Sequence, residues 1–391
     1  MSHHTEGQDG LMEKIISLAK RRGFIYQGSE IYGGLAGTWD YGPLGLALKN
    51  NVKNLWWKRF VLSRDDVYGV DAAILMNQAV WKASGHVDTF ADPLVEDAKT
   101  KKRYRVDHLL EEAGIDPKGM NLEQMDALIK EKKIKRPDGN ALGDARQFNM
   151  MFKTHVGASE DESTVSYLRP ETAQGIFTNF KNVVDSFHPK FPFGIAQIGK
   201  AFRNEIAPRD FIFRLRELEQ MEVEYFVREG EWEAFFDHFR LQMWEWVEEI
   251  GLSREHVHEL DVAPADRAHY SKKTTDFEYD FPFGRKELYG LAYRTDYDLS
   301  RHAAASGADL VYTDPTTAEK FTPHVIEPTF GVDRTVLALM TEAYREDELG
   351  GEKRAYLAFN SAVAPIKAAV FPLLKNKPHL VEKAQSIYRE L

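Results

Sequence analysis

Cysteine is absent from all 391 residues. Disulfides, thiolate metal sites and a cysteine nucleophile are thereby excluded, and a reducing, cytoplasmic location is expected. No apolar run approaches the roughly 20 residues needed to cross a bilayer, so no membrane association is expected. Residues 1–10 are polar and lack the apolar centre of a secretory leader. Basic residues are the minority, 51 Lys and Arg against 61 Asp and Glu, for a formal charge of −10. That balance argues against a surface gripping nucleic acid over its whole extent. The glycine-dense stretch Ile31-Tyr32-Gly33-Gly34-Leu35-Ala36-Gly37 lacks a Gly-Lys-Ser/Thr ending and is no phosphate loop of that type. Internal repeats and low-complexity tracts are missing as well.

What is present, 43% apolar and 29% charged residues, is enough to build a core and stay in solution. The length suits roughly two or three domains. Apolar positions from Leu11 to Ala19 form a helical stripe closed by Gly23. The turn Tyr41-Gly42-Pro43 launches a helix carrying Leu44, Leu48, Val52, Leu55, Trp56 and Phe60, with proline where a helix tolerates it. That face is broad enough to be buried against something large, a partner subunit among the options. Residues 91–160 read as an inserted, partly helical module, rich in charge and punctuated by Gly114, Pro117, Pro137 and Gly139. Two basic runs lie in it, Lys99 to Arg105 and Lys130 to Arg136; a solvated face is the ordinary reading of such runs. Strands follow at Phe193–Phe202 and Phe213–Val227, then an aromatic-striped helix from Glu231 to Ile250 whose spacing is that of a core face. Pro323 to Thr329 reads as a strand leading through Phe330-Gly331 into a helix. A strand at 366–371 and a helix near 380–391 look like the opening of a further domain that is cut short. The expected units are 1–90, 91–160, 161–353 and 354–391.

The second strand of the 193–227 hairpin concentrates the polar chemistry. Alternation puts Arg214, Arg216, Gln220, Glu222 and Glu224 on one face, and Met221, Val223, Tyr225 and Val227 on the other. The apolar set is a core face. The polar set is either an exposed face with cross-strand ion pairs or the floor of a cleft, with arginines for phosphate and carboxylates for an ammonium group.

Phe202-Arg203-Asn204-Glu205 with its loop and returning strand resembles motif 2 of the class II aminoacyl-tRNA synthetases. Pro328-Thr329-Phe330-Gly331-Val332-Asp333-Arg334 resembles motif 3, and the Pro43-led helix resembles motif 1, the dimer-forming element. Ile31 to Gly34, Trp39 to Gly45, Leu168-Arg169-Pro170-Glu171-Thr172-Ala173-Gln174-Gly175 and Glu327 to Gly331 are similar to the homodimeric, glycine-specific members of that class. The resemblance covers nearly the whole chain. It implies an α+β fold: an antiparallel-sheet catalytic domain, a helical insertion and a truncated α/β anticodon-binding domain.

The activity implied is ATP-dependent activation of glycine to glycyl-adenylate and its transfer to the 3′ end of tRNA(Gly), by a homodimer. The attacking carboxylate is already ionised, so positioning and charge neutralisation replace a general base. Arg203 is the implied α-phosphate clamp and Arg334 the γ-phosphate anchor, the catalytic pair. Asn204, Glu205, Phe213, Arg214, Leu215, Arg216, Glu287, Leu288 and Gly331 complete the ATP site, with Phe213 stacked on adenine. Glu205 and Glu287 are the implied ligands of Mg²⁺, which favours hard oxygen donors. Glu171, Glu222 and Glu327 are the implied ammonium carboxylates, expected to have raised pKa values through mutual repulsion. Arg105, Gln220 and Thr329 join the glycine site. A pocket sized for hydrogen rejects a methyl by clash, so editing is not required. The two basic runs are candidates for the tRNA acceptor stem. No zinc is expected, since His256 and His258 have no further ligand cluster nearby. Competing readings are a relative making dinucleoside polyphosphates and a non-catalytic nucleic-acid-binding factor, the latter disfavoured by the retained arginines and carboxylates. With the C-terminal unit short, adenylate formation is expected to survive and tRNA charging to weaken.

Overall fold

Seven strands make the central sheet of the computed structural model, which describes residues 9–117, 119–135 and 139–391. They are β1 (Val67–Gly69), β2 (Phe193–Phe202), β3 (Glu217–Val227), β4 (Val257–Asp261), β5 (Lys273–Phe281), β6 (Gly284–Thr295) and β7 (His324–Gly331). Their order is β4-β5-β6-β7-β3-β2-β1, antiparallel throughout except for β1 beside β2. The main helices are α1 (Asp9–Arg21), α2 (Pro43–Trp57), α3 (Ala173–Phe187), α4 (Trp232–Glu249), α5 (Tyr297–Ser306) and α6 (Val332–Ala343). Among the described residues no helix is long and apolar enough to cross a membrane. The chain is α+β.

Period-two alternation assigns the two faces of the sheet to two cores. On one face Met221, Val223, Tyr225 and Phe330 pack against α2, α4 and α6. On the other, Ile195, Phe226 and Val325 pack against α3 and against Leu299 of α5. Gln220, Glu222 and Glu224 share the second face with Phe226, as the alternation required. The aromatic face of α2 is buried in the chain's own core. Trp56 and Phe60, 0% and 1% exposed, meet Phe330 at 5.9 and 5.1 Å between ring centroids. The breadth of that face therefore needs no partner subunit. The turn before α2 is equally tight. A Cβ on Gly45 would stand 1.9 Å from the Phe24 carbonyl oxygen, a position only glycine can fill.

Two local expectations are corrected, the start of β3 and a strand at 366–371. β3 begins at Glu217, not Phe213: the turn opened by Asp210 and Phe211, with positive φ of 60° and 59°, runs on to Phe213, whose N–H donates to the Asp210 carbonyl (3.0 Å), and Arg214 pairs back with Arg209 instead of entering the sheet. Arg214 and Arg216 therefore precede the strand. The insertion, read as partly helical, combines helices with a sheet. Helices Val106–Glu112 and Leu122–Glu131 are joined by a three-stranded sheet of Arg103–Arg105, Ala91–Glu96 and Arg146–Asn149, around Val95, Val106, Leu109, Leu110 and Ile129. Strand Phe152–His155 pairs instead with Val165–Leu168, which also pairs with Leu75–Met76. Residues 366–371 form no strand, having no neighbour to pair with, although a helix does run from Pro378–Glu390. Arg136 and Pro137 lie outside the described residues.

Candidate active site

Where the second face of the sheet is not covered by α3 and α5, two chambers open side by side. The first, about 270 Å³, is lined by Arg105, Arg203, Glu205, Phe213, Arg214, Leu215, Gln220, Glu287, Leu288, Thr329, Gly331 and Arg334. The second, about 280 Å³, is lined by Glu171, Glu222 and Glu327 with Tyr270 and Asp276. Arg203, Gln220, Glu287 and Thr329 belong to both walls. The strand ends of β3, β6 and β7 thus bring together residues more than a hundred positions apart. Asn204 and Arg216 line neither chamber. The Asn204 N–H donates to the Met150 carbonyl (2.7 Å), and Arg216 donates to the carbonyls of Glu205 (3.0 Å) and Ala36 (2.8 Å), tying the loop to the N-terminal segment. Arg105 sits in the first chamber, bound by Asp107 (2.6 Å) and Asp92, and not among the carboxylates of the second.

The first chamber is an arginine cage over an aromatic floor. Arg334, projected from the first turn of α6, donates to the Glu287 carbonyl (2.9 Å) and meets its carboxylate at 3.1 Å. Its guanidinium also covers the Phe213 ring, whose edges pack against Phe281 and Phe283. Arg214 lies 3.4 Å from Glu205. Arg203 donates to the Pro170 carbonyl (3.1 Å) and lies over Phe90. α6 itself is fixed by Asp333, which accepts from the Glu219 N–H (2.8 Å) and the Tyr41 hydroxyl (2.6 Å). The buried Lys49 of α2 reaches Glu219 at 2.8 Å.

The second chamber is built from carboxylates around one buried cation. Arg294, at the end of β6 and 0% exposed, donates to Glu327 (2.7 Å) and twice to Asp298 (2.8 and 3.0 Å). Its guanidinium rests 3.6 Å from the centre of the Tyr270 ring. Glu171 accepts from Gln174 (3.0 Å) and faces the His86 imidazole at 3.2 Å. Glu222 accepts from both the Thr329 hydroxyl (3.0 Å) and the Thr172 hydroxyl. The expected common rise in pKa holds for two of the three. Burial, then Glu171, pushes Glu222 up; burial pushes Glu327 well up, with Glu222 and Glu171 opposing the pull of Arg294. For Glu171 burial also acts upward, but His86, with Arg294 and Gln174, outweighs it and holds the carboxyl well below the usual range.

Arg294, His86 and Asp298 escape a reading of the sequence, and Thr172 and Gln174 enter it only as members of the motif from Leu168 to Gly175. One signal was available: Arg294 and Asp298 stand four residues apart where the apolar alternation of β6 breaks into Arg294-Thr295-Asp296-Tyr297-Asp298. Of the basic runs, Lys101 and Arg103 lie within 3.7 Å of Glu96, and Lys130 pairs with Asp126 and Asp144. His256 and His258 each meet a carboxylate, Glu342 and Asp280.

Residues 152–344 match the tRNA synthetase class II core domain (G, H, P, S and T). The chain is 52% identical over 388 residues to a glycine–tRNA ligase of Caldanaerobacter subterraneus, covering 97% of this chain and 84% of that protein. It is 50% identical to a glycine–tRNA ligase of Clostridium acetobutylicum and 51% to that of Geobacillus kaustophilus, with the same shares of both chains covered. Among solved structures, Giardia lamblia prolyl-tRNA synthetase in complex with prolyl-adenylate superposes with a TM-score of 0.60 at 14% identity, over 98% of this chain and 60% of that one, a likeness of fold. Two joined chambers, one of arginines and one of carboxylates, on a sheet of this class, in a chain half identical to such enzymes, place it in the glycine–tRNA ligase family, ATP-dependent class II aminoacyl-tRNA synthetases.

Proposed function

We propose that the arginine chamber takes ATP, that the carboxylate chamber takes glycine, and that the two react where the walls meet at Arg203, Gln220 and Thr329. That junction is the observation that carries the reading. Glycine offers an ammonium and a carboxylate and no side chain. Glu171, Glu222 and Glu327 hold the ammonium, and the carboxylate is left pointing towards the arginines. Arg203 clamps the α-phosphate as the carboxylate attacks and pyrophosphate leaves. Arg334 anchors the γ-phosphate. Both are permanently charged planar donors, acting in a partly closed site where charge neutralisation is strong.

Glu205 and Glu287 suit Mg²⁺. Each is an oxygen donor in the ATP chamber and each faces an arginine, Arg214 or Arg334, so phosphates arriving on the arginines release both carboxylates. Mg²⁺ bound there with ATP would neutralise phosphate charge and keep mostly phosphate and water oxygens around it. Residues 1–90 and 161–353 act as the catalytic unit. The module at 91–160, with a core of its own, contacts the acceptor end of tRNA(Gly) through Lys99, Lys101 and Lys102, and residues 354–391 belong to an anticodon-reading unit. The enzyme works in the cytoplasm and as a homodimer, the exposed apolar side chains Ile31, Tyr32 and Leu35 supporting the second.

The test is exchange of labelled pyrophosphate into ATP. Exchange should depend on glycine, fail with alanine and collapse in Arg203→Ala. Exchange that does not require glycine, or that persists in Arg203→Ala, overturns the assignment.

A further inference from the structure

Glu224 follows Glu222 on the same face of β3 and is wholly buried. Neither of its carboxylate oxygens has a hydrogen-bond partner. Ligand atoms of Glu222, Glu224 and Glu327 nevertheless lie within 4.8 Å of one another, and Glu224 and Glu327 both fall between the β3–β7 pairs Glu222–Thr329 and Tyr225–Ile326. The charges facing it are Glu222 from its own strand, Glu327 from β7, Arg294 from β6 and Asp298 from α5. The neighbouring strand β2 offers only Ile195. Arg294 is already engaged by Asp298 and Glu327, and Glu222 has a hydroxyl on each oxygen. An ionised Glu224 would lose its hydration and gain no partner, which a buried charge cannot sustain.

We infer that Glu224 is a neutral carboxylic acid that donates its proton to Glu327, and so positions Glu327 and limits the negative charge of the glycine pocket. The direction of titration agrees: burial, then Glu327, pushes the Glu224 carboxyl well up against the pull of Arg294. A protonated Glu224 satisfies its own donor and fixes the rotamer of Glu327. It also leaves the entering ammonium to be balanced by the remaining carboxylates alone. The role at Glu327 rests on the glycine site proposed above; the protonation of Glu224 does not.

The experiment compares wild type, Glu224→Gln and Glu224→Ala. An acid whose folded pKa is raised stabilises the fold below its unfolded pKa, and that stability is lost as pH rises towards the folded value. Glutamine, neutral and of the same shape, has no such loss. The Tm of Glu224→Gln minus that of wild type should therefore grow by about 2 °C or more between pH 5 and pH 8. A difference constant with pH, or one that turns against glutamine as pH rises, overturns the inference. In pyrophosphate exchange Glu224→Ala should raise the KM for glycine roughly tenfold, a loss of about one hydrogen bond to a charged group, and Glu224→Gln should restore most of it. Glutamine as poor as alanine would show that an anion is required, against the inference. A pH-dependent gain in Tm with no change of KM in either variant would keep the proton and remove the positioning role. A rise of wild-type Tm with added Mg²⁺ that Glu224→Gln abolishes would replace the proton by a cation.

Discussion

Arg334 lies across the ring of Phe213, its guanidinium carbon 4.4 Å from the ring centroid. The contact joins the loop before β3 to the first turn of α6. It leaves no room for a further ring between the two groups, which would need about twice the 3.5–4.0 Å contact distance. Were adenine to stack on this face of Phe213, the arrangement expected from the sequence, Arg334 would have to lift from the ring and from Glu287, its other partner.

Arg334→Lys keeps the charge but loses the planar fork. Pyrophosphate exchange should show kcat/KM for ATP falling by about 10²–10³-fold, the scale for loss of one preorganised charged donor. Phe213→Leu should raise the KM for ATP with a smaller effect on kcat. An Arg334→Lys enzyme within threefold of wild type would assign the γ-phosphate to another residue.

Thr329 should act through its hydroxyl, which donates to Glu222. Thr329→Val removes that donor beside a buried carboxylate, costing about 1–3 kcal/mol, read as a rise in the KM for glycine. Thr329→Ser should stay within about threefold. Equal KM values for the valine and serine variants would show that the hydroxyl is not used.

Arg294 is a buried cation between two carboxylates. Arg294→Met strands Asp298 and Glu327 and should lower stability by about 3–5 kcal/mol, measured by denaturant unfolding. The double change Arg294→Met with Asp298→Asn should recover part of it. Additive losses would mean that the pair is not coupled.

Glu171 carries a depressed folded pKa against an ordinary value of 4.5. Its ionised form therefore contributes stability that is present above pH 4.5 and lost as pH falls through the folded value. Glu171→Gln should lower Tm at pH 7, and the difference from wild type should shrink steadily below about pH 4.5. A difference that does not change with pH would assign the loss to packing alone.

Gly45 tests the fold and not the chemistry. A Cβ there meets the Phe24 carbonyl oxygen at 1.9 Å, so Gly45→Ala must shift α2 against its preceding segment. Overpacking of this kind costs about 1–3 kcal/mol. Thermal unfolding of Gly45→Ala at or above the wild-type Tm would show that the turn gives way freely.

The sequence by itself determined what depends on local order. Alternation along β3 separates Gln220, Glu222 and Glu224 from Met221, Val223 and Tyr225, and the strand–turn–helix at Glu327 to Arg334 is written in consecutive residues. These patterns are set by backbone period, which a neighbour cannot change. Local order failed where a side chain's partner is distant in the chain. It left open whether a partner subunit or the chain itself covers the aromatic face of α2, because only the folded chain shows Phe330 and Trp246 filling that space. It read a strand into residues 366–371, because a strand exists only where another pairs with it. Above all, the three carboxylates grouped by the resemblance, Glu171, Glu222 and Glu327, could only be treated as equivalent repelling acids. Tertiary structure decided otherwise, setting His86 against Glu171, hydroxyls against Glu222 and Arg294 against Glu327, because charge in a dry site is governed by what stands within a few ångströms in space.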